Sequence, residues 1–244
     1  MNSEIKNLKK CIIIPCYNEE KRINADRFIA FAKVNPEIQI CFVNDGSTDQ
    51  TLRVLEESFR LPQFEVINLA KNRGKAEAVR QGVLANLDAG VLGYFDADLS
   101  TPLEEFVRLA AELKGDVQFV FGSRILTVSA NIVRSSYRHY FGRIIATFIS
   151  NILKLPIYDT QCGAKVFSSE IARTTFSEPF SSPWLFDVEI FARLIQKFGY
   201  TKVRDIIKEQ PLLEWIEAGD SRITVMDMIK VPVHLLKIKL RYRF

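Results

Sequence analysis

VLGYFDADLSTP, residues 91–102, joins a short apolar run to two carboxylates and then to a helix start. The run 91–95 has the length and continuity of a strand buried on both faces. Thr101 and Pro102 open a helix, with Pro in its first turn and Glu104 and Glu105 near its positive end. Units of the same kind flank it. Residues 11–16 (CIIIPC) read as a strand ended by the loop 17–20, and 23–34 as a helix by apolar spacing. Residues 39–43 (QICFV) stop at Asn44-Asp45-Gly46; 47–49 then supply capping groups for a helix through Leu52, Val54 and Leu55. Residues 64–69 (FEVINL) are a third strand, 75–88 a helix, and 117–121 (VQFVF) a fifth strand. Doubly apolar strands alternating with helices predict an α/β fold, a mostly parallel sheet flanked by helices. In such sheets ligands bind outside the carboxyl ends of the strands. The polar clusters Asn18/Glu19, Asp45, 72–75 and Asp96/Asp98 all fall there.

The second half departs from this alternation. Residues 137–155 are aromatic, basic and apolar at helical spacing. Residues 164–168 read as a strand, 185–198 as an amphipathic helix, 206–214 as an edge strand and 224–241 as a terminal helix.

Composition narrows the function classes. With 48% hydrophobic and 25% charged residues in 244, the chain has ample apolar material for a core, which excludes disorder. A net charge of +4 is too mild to imply nucleic acid. Four cysteines without a C-x-x-C pair, and only two His, argue against structural zinc and fit a reducing compartment. Cys11 and Cys41 sit in strand-like runs and read as core. Residues 1–10 are polar, without the apolar core of a signal peptide, and no run reaches the ~18 apolar residues of a spanning helix. From residue 230 the chain carries Lys230, Lys237, Lys239, Arg241 and Arg243 and no acid, interleaved with apolar residues. That pattern suits a membrane surface. The alternatives are ordinary core packing or the interface of a homo-oligomer.

Several clusters carry chemistry. Asp96 and Asp98, one residue apart at a strand end, can both turn toward one cation, and their hard oxygens suit Mg²⁺ or Mn²⁺ shared with substrate phosphates. An acidic helix-start loop is the plainer alternative. Asp45 can bind a base N–H or ribose hydroxyls, or simply close an Asx turn with Gly46. Asn72-Arg73-Gly74-Lys75 precedes a helix, where Gly, the helix N-terminus and the Lys75 charge suit a diphosphate, although the P-loop spacing is absent. Arg124 follows the fifth strand and Arg134, Arg138 and Arg143 come next; Arg recognises phosphate bidentately, so they offer a second anion site, with plain surface residues as the alternative and the favoured reading for Arg138 and Arg143. Asp187 and Glu189 start an otherwise apolar helix, as functional acids or as dipole partners. His139 and His234 have no partner pattern.

Residues 11–19, 43–49, 69–75, 95–102, 122–124, 159–167 (DTQCGAKVF) and 184–190 (WLFDVEI) occur in the order seen in inverting family-2 glycosyltransferases of the GT-A fold. With Glu214, Trp215 and Gly219, the chain resembles the branch that glycosylates polyprenyl phosphates, which includes dolichyl-phosphate β-glucosyltransferases and dolichol-phosphate mannose synthases, and is more similar to the former. Ser100 stands where the mannose synthases carry Gln.

The resemblance implies a nucleotide-diphosphate sugar donor, UDP-glucose before GDP-mannose, and a polyprenyl phosphate acceptor. By position, Pro15, Tyr17 and Glu19 would line the nucleoside pocket, with Asp45 on the base or ribose. Asn72, Lys75 and Asp96 would lie near the sugar diphosphate, and Asp98 with Asp96 would hold the metal. Arg124, Arg134 and Ser135 would hold the acceptor phosphate, and Gln161 and Asp187 would lie near the transferred sugar or acceptor. The expected organisation is one GT-A domain over 1–244. Its donor-binding half would span 10–125 and its acceptor-binding half 126–225, with a basic amphipathic helix over 226–244. The expected location is cytoplasmic, peripheral at the membrane. A phosphate acceptor needs no strong general base near pH 7, whereas a saccharide or protein hydroxyl would, with Asp187 as the candidate.

Overall fold

The computed structural model describes residues 8–125, 131–133, 136–182, 185–217 and 225–243. Strands β1 (Lys10–Cys16), β2 (Ile38–Asp45), β3 (Phe64–Leu69) and β4 (Val91–Tyr94) alternate with helices α1 (Ala25–Val34), α2 (Thr51–Ser58) and α3 (Lys75–Ala85). Helix α4 (Glu104–Ala110) leads to β5 (Phe119–Ser123). Then follow β6 (Asn131–Val133), α5 (Ser136–Leu153), β7 (Lys165–Ser168), α6 (Ser169–Phe176), α7 (Phe186–Ile206), β8 (Ile207–Pro211), β9 (Glu214–Ile216) and α8 (Val225–Tyr242).

Seven strands form the main sheet in the order β3-β2-β1-β4-β7-β5-β8. All neighbours are parallel except β7, which runs antiparallel to β4 and β5. The mostly parallel sheet expected from the sequence is therefore present. The reversed β7 has a local consequence: its first residue, Lys165, pairs with Tyr94, the last residue of β4. The start of β7 thus lies at the end of the sheet where the other strands finish.

Both faces of the sheet are covered, which explains the unbroken apolar strands. Ile12, Ile14, Ile40 and Phe42 pack on one side with Phe28 and Phe31 of α1, Leu55 of α2, Phe59 and Phe106. Cys11, Ile13, Cys41 and Val43 pack on the other with Val79 and Val83 of α3, Phe176 and the apolar face of α7. Alternation along each strand sends successive side chains to opposite cores. Phe42 stacks on Phe59 with ring centroids 4.2 Å apart and meets Phe28 edge-on at 5.0 Å. Each such ring stabilises the fold by about 1.5–3 kcal/mol through burial alone.

Three expectations need correction. The strand proposed over 206–214 is two strands in two sheets. β8 ends at Pro211, which lacks a backbone donor, and 214–216 turn away to pair with β6. The helix after Thr101 begins at Glu104, because a turn around Pro102 and Leu103 precedes it. Helix α2 takes Gln50 as its cap residue, without a side-chain cap bond. The capping expectation is corrected only in part: Asp49 accepts the Thr51 N–H at 3.0 Å at the start of α2, while Ser47, Thr48 and the second Asp49 oxygen bond to the loop after β1.

Candidate active site

The loop after β1 is stitched to the loop after β2. Asn18, at φ 52°, accepts the Thr48 backbone N–H at 2.8 Å, and the Ser47 hydroxyl accepts the Asn18 N–H at 3.0 Å. The Thr51 hydroxyl accepts the Glu19 N–H at 2.7 Å, and Asp49 accepts that of Glu20 at 3.3 Å. These bonds hold Tyr17 and Glu19 in the corner between β1, which carries Pro15, and the end of β2.

Asp45 ends β2 and is buried. Its two oxygens accept the backbone N–H groups of Arg73 and Gly74, each at 2.8 Å. Asn72 adds a bond to the Gly74 N–H at 3.0 Å. Gly46 has φ +60°, and a Cβ there would overlap the backbone of Lys71 and Asn72. Neither sequence alternative for Asp45 anticipated this long-range task. The carboxylate shapes the turn that delivers Lys75 to the first position of α3.

Lys75 pairs with Asp96, and Arg22 donates to Asp98 at 2.6 Å. Both pairs remain open to solvent, with side-chain exposures of 38% and 37% for Lys75 and Asp96 and of 31% and 20% for Arg22 and Asp98. Burial works against the Lys75 charge, but Asp96, Asp187 and Asp98 outweigh it and hold its pKa above the usual lysine range. All three carboxylates therefore favour the charge on one ammonium.

Asp187 lies beneath this rim, in the first turn of α7. Its Oδ1 accepts both the Tyr94 hydroxyl and the Lys165 ammonium, the latter at 2.6 Å. Lys165 is fully buried and also donates to the Cys162 carbonyl at 2.6 Å. Burial first, and the Asp187 charge next, raise the Tyr94 phenol well above its ordinary pKa, so it stays a donor. The loop carrying Gln161 and Cys162 presses on the rim: a Cβ at Gly163 would overlap the Asp96 carboxylate.

Arg124 ends in a bidentate pair with Asp159, Nε to Oδ2 at 2.7 Å and Nη2 to Oδ1 at 2.9 Å. Its guanidinium lies 5.4 Å from the Trp215 ring centroid. Burial alone would raise the Asp159 carboxyl, but Arg124 holds it down to about 2. Glu209 of β8 accepts the N–H groups of Tyr158 and Asp159 at 2.8 and 2.7 Å and fixes that loop. Arg134 and Ser135, the other expected acceptor contacts, lie outside the described residues, as does Gly219. Burial pushes the Cys11 and Cys162 thiols up to about 12, so neither offers a thiolate.

The structure thus brings Lys75, Asp96, Asp98 and Asp187 together at the carboxyl end of the sheet, with Asp45 and Glu19 on the neighbouring strand ends. The sequence reading missed Arg22, Tyr94, Lys165, Asp159 and Glu209. Lys165 left one signal, a lone Lys opening an otherwise apolar strand.

The model of glycosyl transferase family 2 matches residues 11–176. The chain belongs to that family. A dolichyl-phosphate beta-glucosyltransferase from Trichomonas vaginalis is 33% identical over 246 residues, covering 95% of this chain and 71% of the relative. The one from Saccharomyces cerevisiae is 34% identical, covering 95% of this chain and 74% of the relative. Among solved structures, glucosyl-3-phosphoglycerate synthase from Mycobacterium tuberculosis, in complex with Mn²⁺, UDP and phosphoglyceric acid, superposes with a TM-score of 0.72 at 17% identity. That likeness covers 97% of this chain and 79% of the other and shows a shared fold, the expected GT-A architecture. The chain is a glycosyltransferase.

Asp96 and Asp98 suit a divalent metal by donor chemistry. They are hard oxygens and reach solvent. Among the described residues no group of three or more His, Cys, Asp or Glu gathers to form a cage. Mg²⁺ or Mn²⁺ takes one or two protein carboxylates and completes its shell with substrate phosphate and water.

Proposed function

We propose that the chain transfers glucose from UDP-glucose to a polyprenyl phosphate with inversion, aided by Mg²⁺ or Mn²⁺. The observation that carries this reading is the pair of solvent-open ion pairs, Lys75–Asp96 and Arg22–Asp98, at the strand ends of a chain whose relatives are named dolichyl-phosphate beta-glucosyltransferases. Both pairs can exchange partners with an incoming sugar diphosphate and its cation. Asp98, with Asp96, would hold the metal, which supplies Lewis-acid neutralisation of the departing diphosphate. Lys75 adds a fixed positive charge there. Pro15, Tyr17 and Glu19 would line the nucleoside pocket, while Asp45 and Asn72 hold the diphosphate turn in shape. Gln161 would contact the sugar. Arg124 would meet the acceptor phosphate with the guanidinium N–H groups not spent on Asp159, beside Arg134 and Ser135. A phosphate is already an anion near pH 7, so the acceptor needs no base.

In this reading the chain is one domain with a donor half over 10–125, an acceptor half over 126–225 and a basic helix over 226–244. The last would rest on the cytoplasmic face of the membrane. Val231, Leu235, Ile238 and Tyr242 of α8 are buried, while Val233, Leu236 and Leu240 face outward at helical spacing among exposed Lys237, Lys239 and Arg241. No described helix is long and apolar enough to cross a membrane.

The test is transfer of labelled sugar from UDP-glucose and, separately, GDP-mannose to undecaprenyl phosphate in detergent with Mn²⁺ or Mg²⁺. Label is expected in the organic phase from UDP-glucose and absent with Asp98→Ala. Metal-dependent release of UDP without lipid label would overturn the acceptor.

A further inference from the structure

Among the described residues Lys165, at 0% exposure, is a buried cation that the chemistry above leaves without a task. It is fully buried, and three groups converge on it from three elements. Asp187 comes from α7, the Cys162 carbonyl from the loop before β7, and the Tyr94 ring from β4, with its centroid 5.3 Å from the ammonium. Each of these groups touches the surroundings of Asp96. Tyr94 stands two residues before it, Gly163 abuts its carboxylate, and Asp187 adds to the charge around its partner Lys75.

Resting on the proposed phosphate acceptor, we infer that Lys165 is a positioning residue. It fixes the 161–163 loop against Asp96 and holds Asp187 as its own counter-charge, so that Asp187 does not serve as the general base. A buried ammonium needs a paired anion, because desolvation of an isolated charge costs more than the fold can spare. If Asp187 took a proton from an acceptor hydroxyl, Lys165 would be left buried without that anion. The site is therefore built for acceptors that arrive already ionised. Asp96 is a different case: its cation is half-exposed and water can replace either partner.

The test compares Lys165→Met, Lys165→Arg, Asp187→Asn and the double variant Lys165→Met/Asp187→Asn, read by sugar transfer, UDP release and thermal unfolding. Either neutral single variant strands one buried charge. It should lower the melting temperature by about 10 °C. It should also lower kcat about a hundredfold, through displacement of the Asp96 loop, with the donor KM within about threefold of wild type. Lys165→Arg should retain more kcat than Lys165→Met. The double variant removes both charges together and should recover both the melting temperature and kcat, the latter to within about tenfold of wild type. A folded double variant as inactive as Asp187→Asn would make Asp187 the base and overturn the inference, as would neutral single variants with wild-type kcat. If the wild type releases UDP but labels no lipid, the acceptor reading fails, and the same comparison is then made on UDP release.

Discussion

The rim and the floor of the site use the same chemistry at two depths. At the rim, Lys75 meets Asp96 and Arg22 meets Asp98, with every side chain at least one-fifth exposed. On the floor, Lys165 meets Asp187 with exposures of 0% and 8%. Water screens the rim pairs, so they contribute little to stability and can open for a substrate. No water competes on the floor, and breaking that pair leaves a bare charge in the interior. Residues that must exchange partners during a reaction therefore belong at the rim, and residues that must hold still belong beneath it.

The largest effect is expected at the rim carboxylate proposed to hold the metal. Asp98→Ala should lower transfer by about a thousandfold. Its melting temperature should remain close to wild type, since a rim pair stabilises little. A steady-state assay beside a thermal melt checks both, and a large melting shift would place Asp98 with the floor. Gly163→Ala comes next. The added methyl overlaps the Asp96 carboxylate and moves it, so kcat should fall about a hundredfold. Rapid quench of a single turnover separates that loss from product release.

A third site sharpens the rule. The Arg124–Asp159 pair lies between rim and floor, with side-chain exposures of 18% and 10%, and Arg124 holds the Asp159 carboxyl at about 2 against an ordinary 3.8. A depressed carboxyl contributes stability above its unfolded pKa and loses it as pH falls through the folded one. Denaturation between pH 4 and pH 2 should therefore show about 2 kcal/mol of pH-dependent stability from this group. Asp159→Asn should flatten that slope. The smallest effect belongs to Lys9–Asp88, a pair 2.7 Å apart on the outer surface with both side chains well exposed. Lys9→Ala should shift the melting temperature by less than about 1 °C.

The strand-end clusters were legible because apolar runs announce buried strands, and the carboxyl ends of parallel strands gather ligands. Asp96, Asp98, Lys75 and Asp45 could be found that way. The reversed β7 could not, since four residues, Lys-Val-Phe-Ser, carry no sign of their direction. Without that direction Lys165 reads as a solvated strand residue, and its meeting with Tyr94 and Asp187 is invisible. Asp45 was singled out, but its bonds to Arg73 and Gly74 span 28 and 29 residues, beyond any local pattern. Arg22 and Asp159 were hidden for the same reason, each partner lying in a distant loop.

The acceptor is the central claim, and one paired measurement addresses it. Undecaprenyl phosphate and undecaprenol differ only in the ionised group the site is proposed to require. Given labelled UDP-glucose and Mn²⁺ in the same detergent, the account predicts product from the phosphate and none above background from the alcohol. Equal rates with the two acceptors, or a preference for the alcohol, would contradict it and return Asp187 to the role of base.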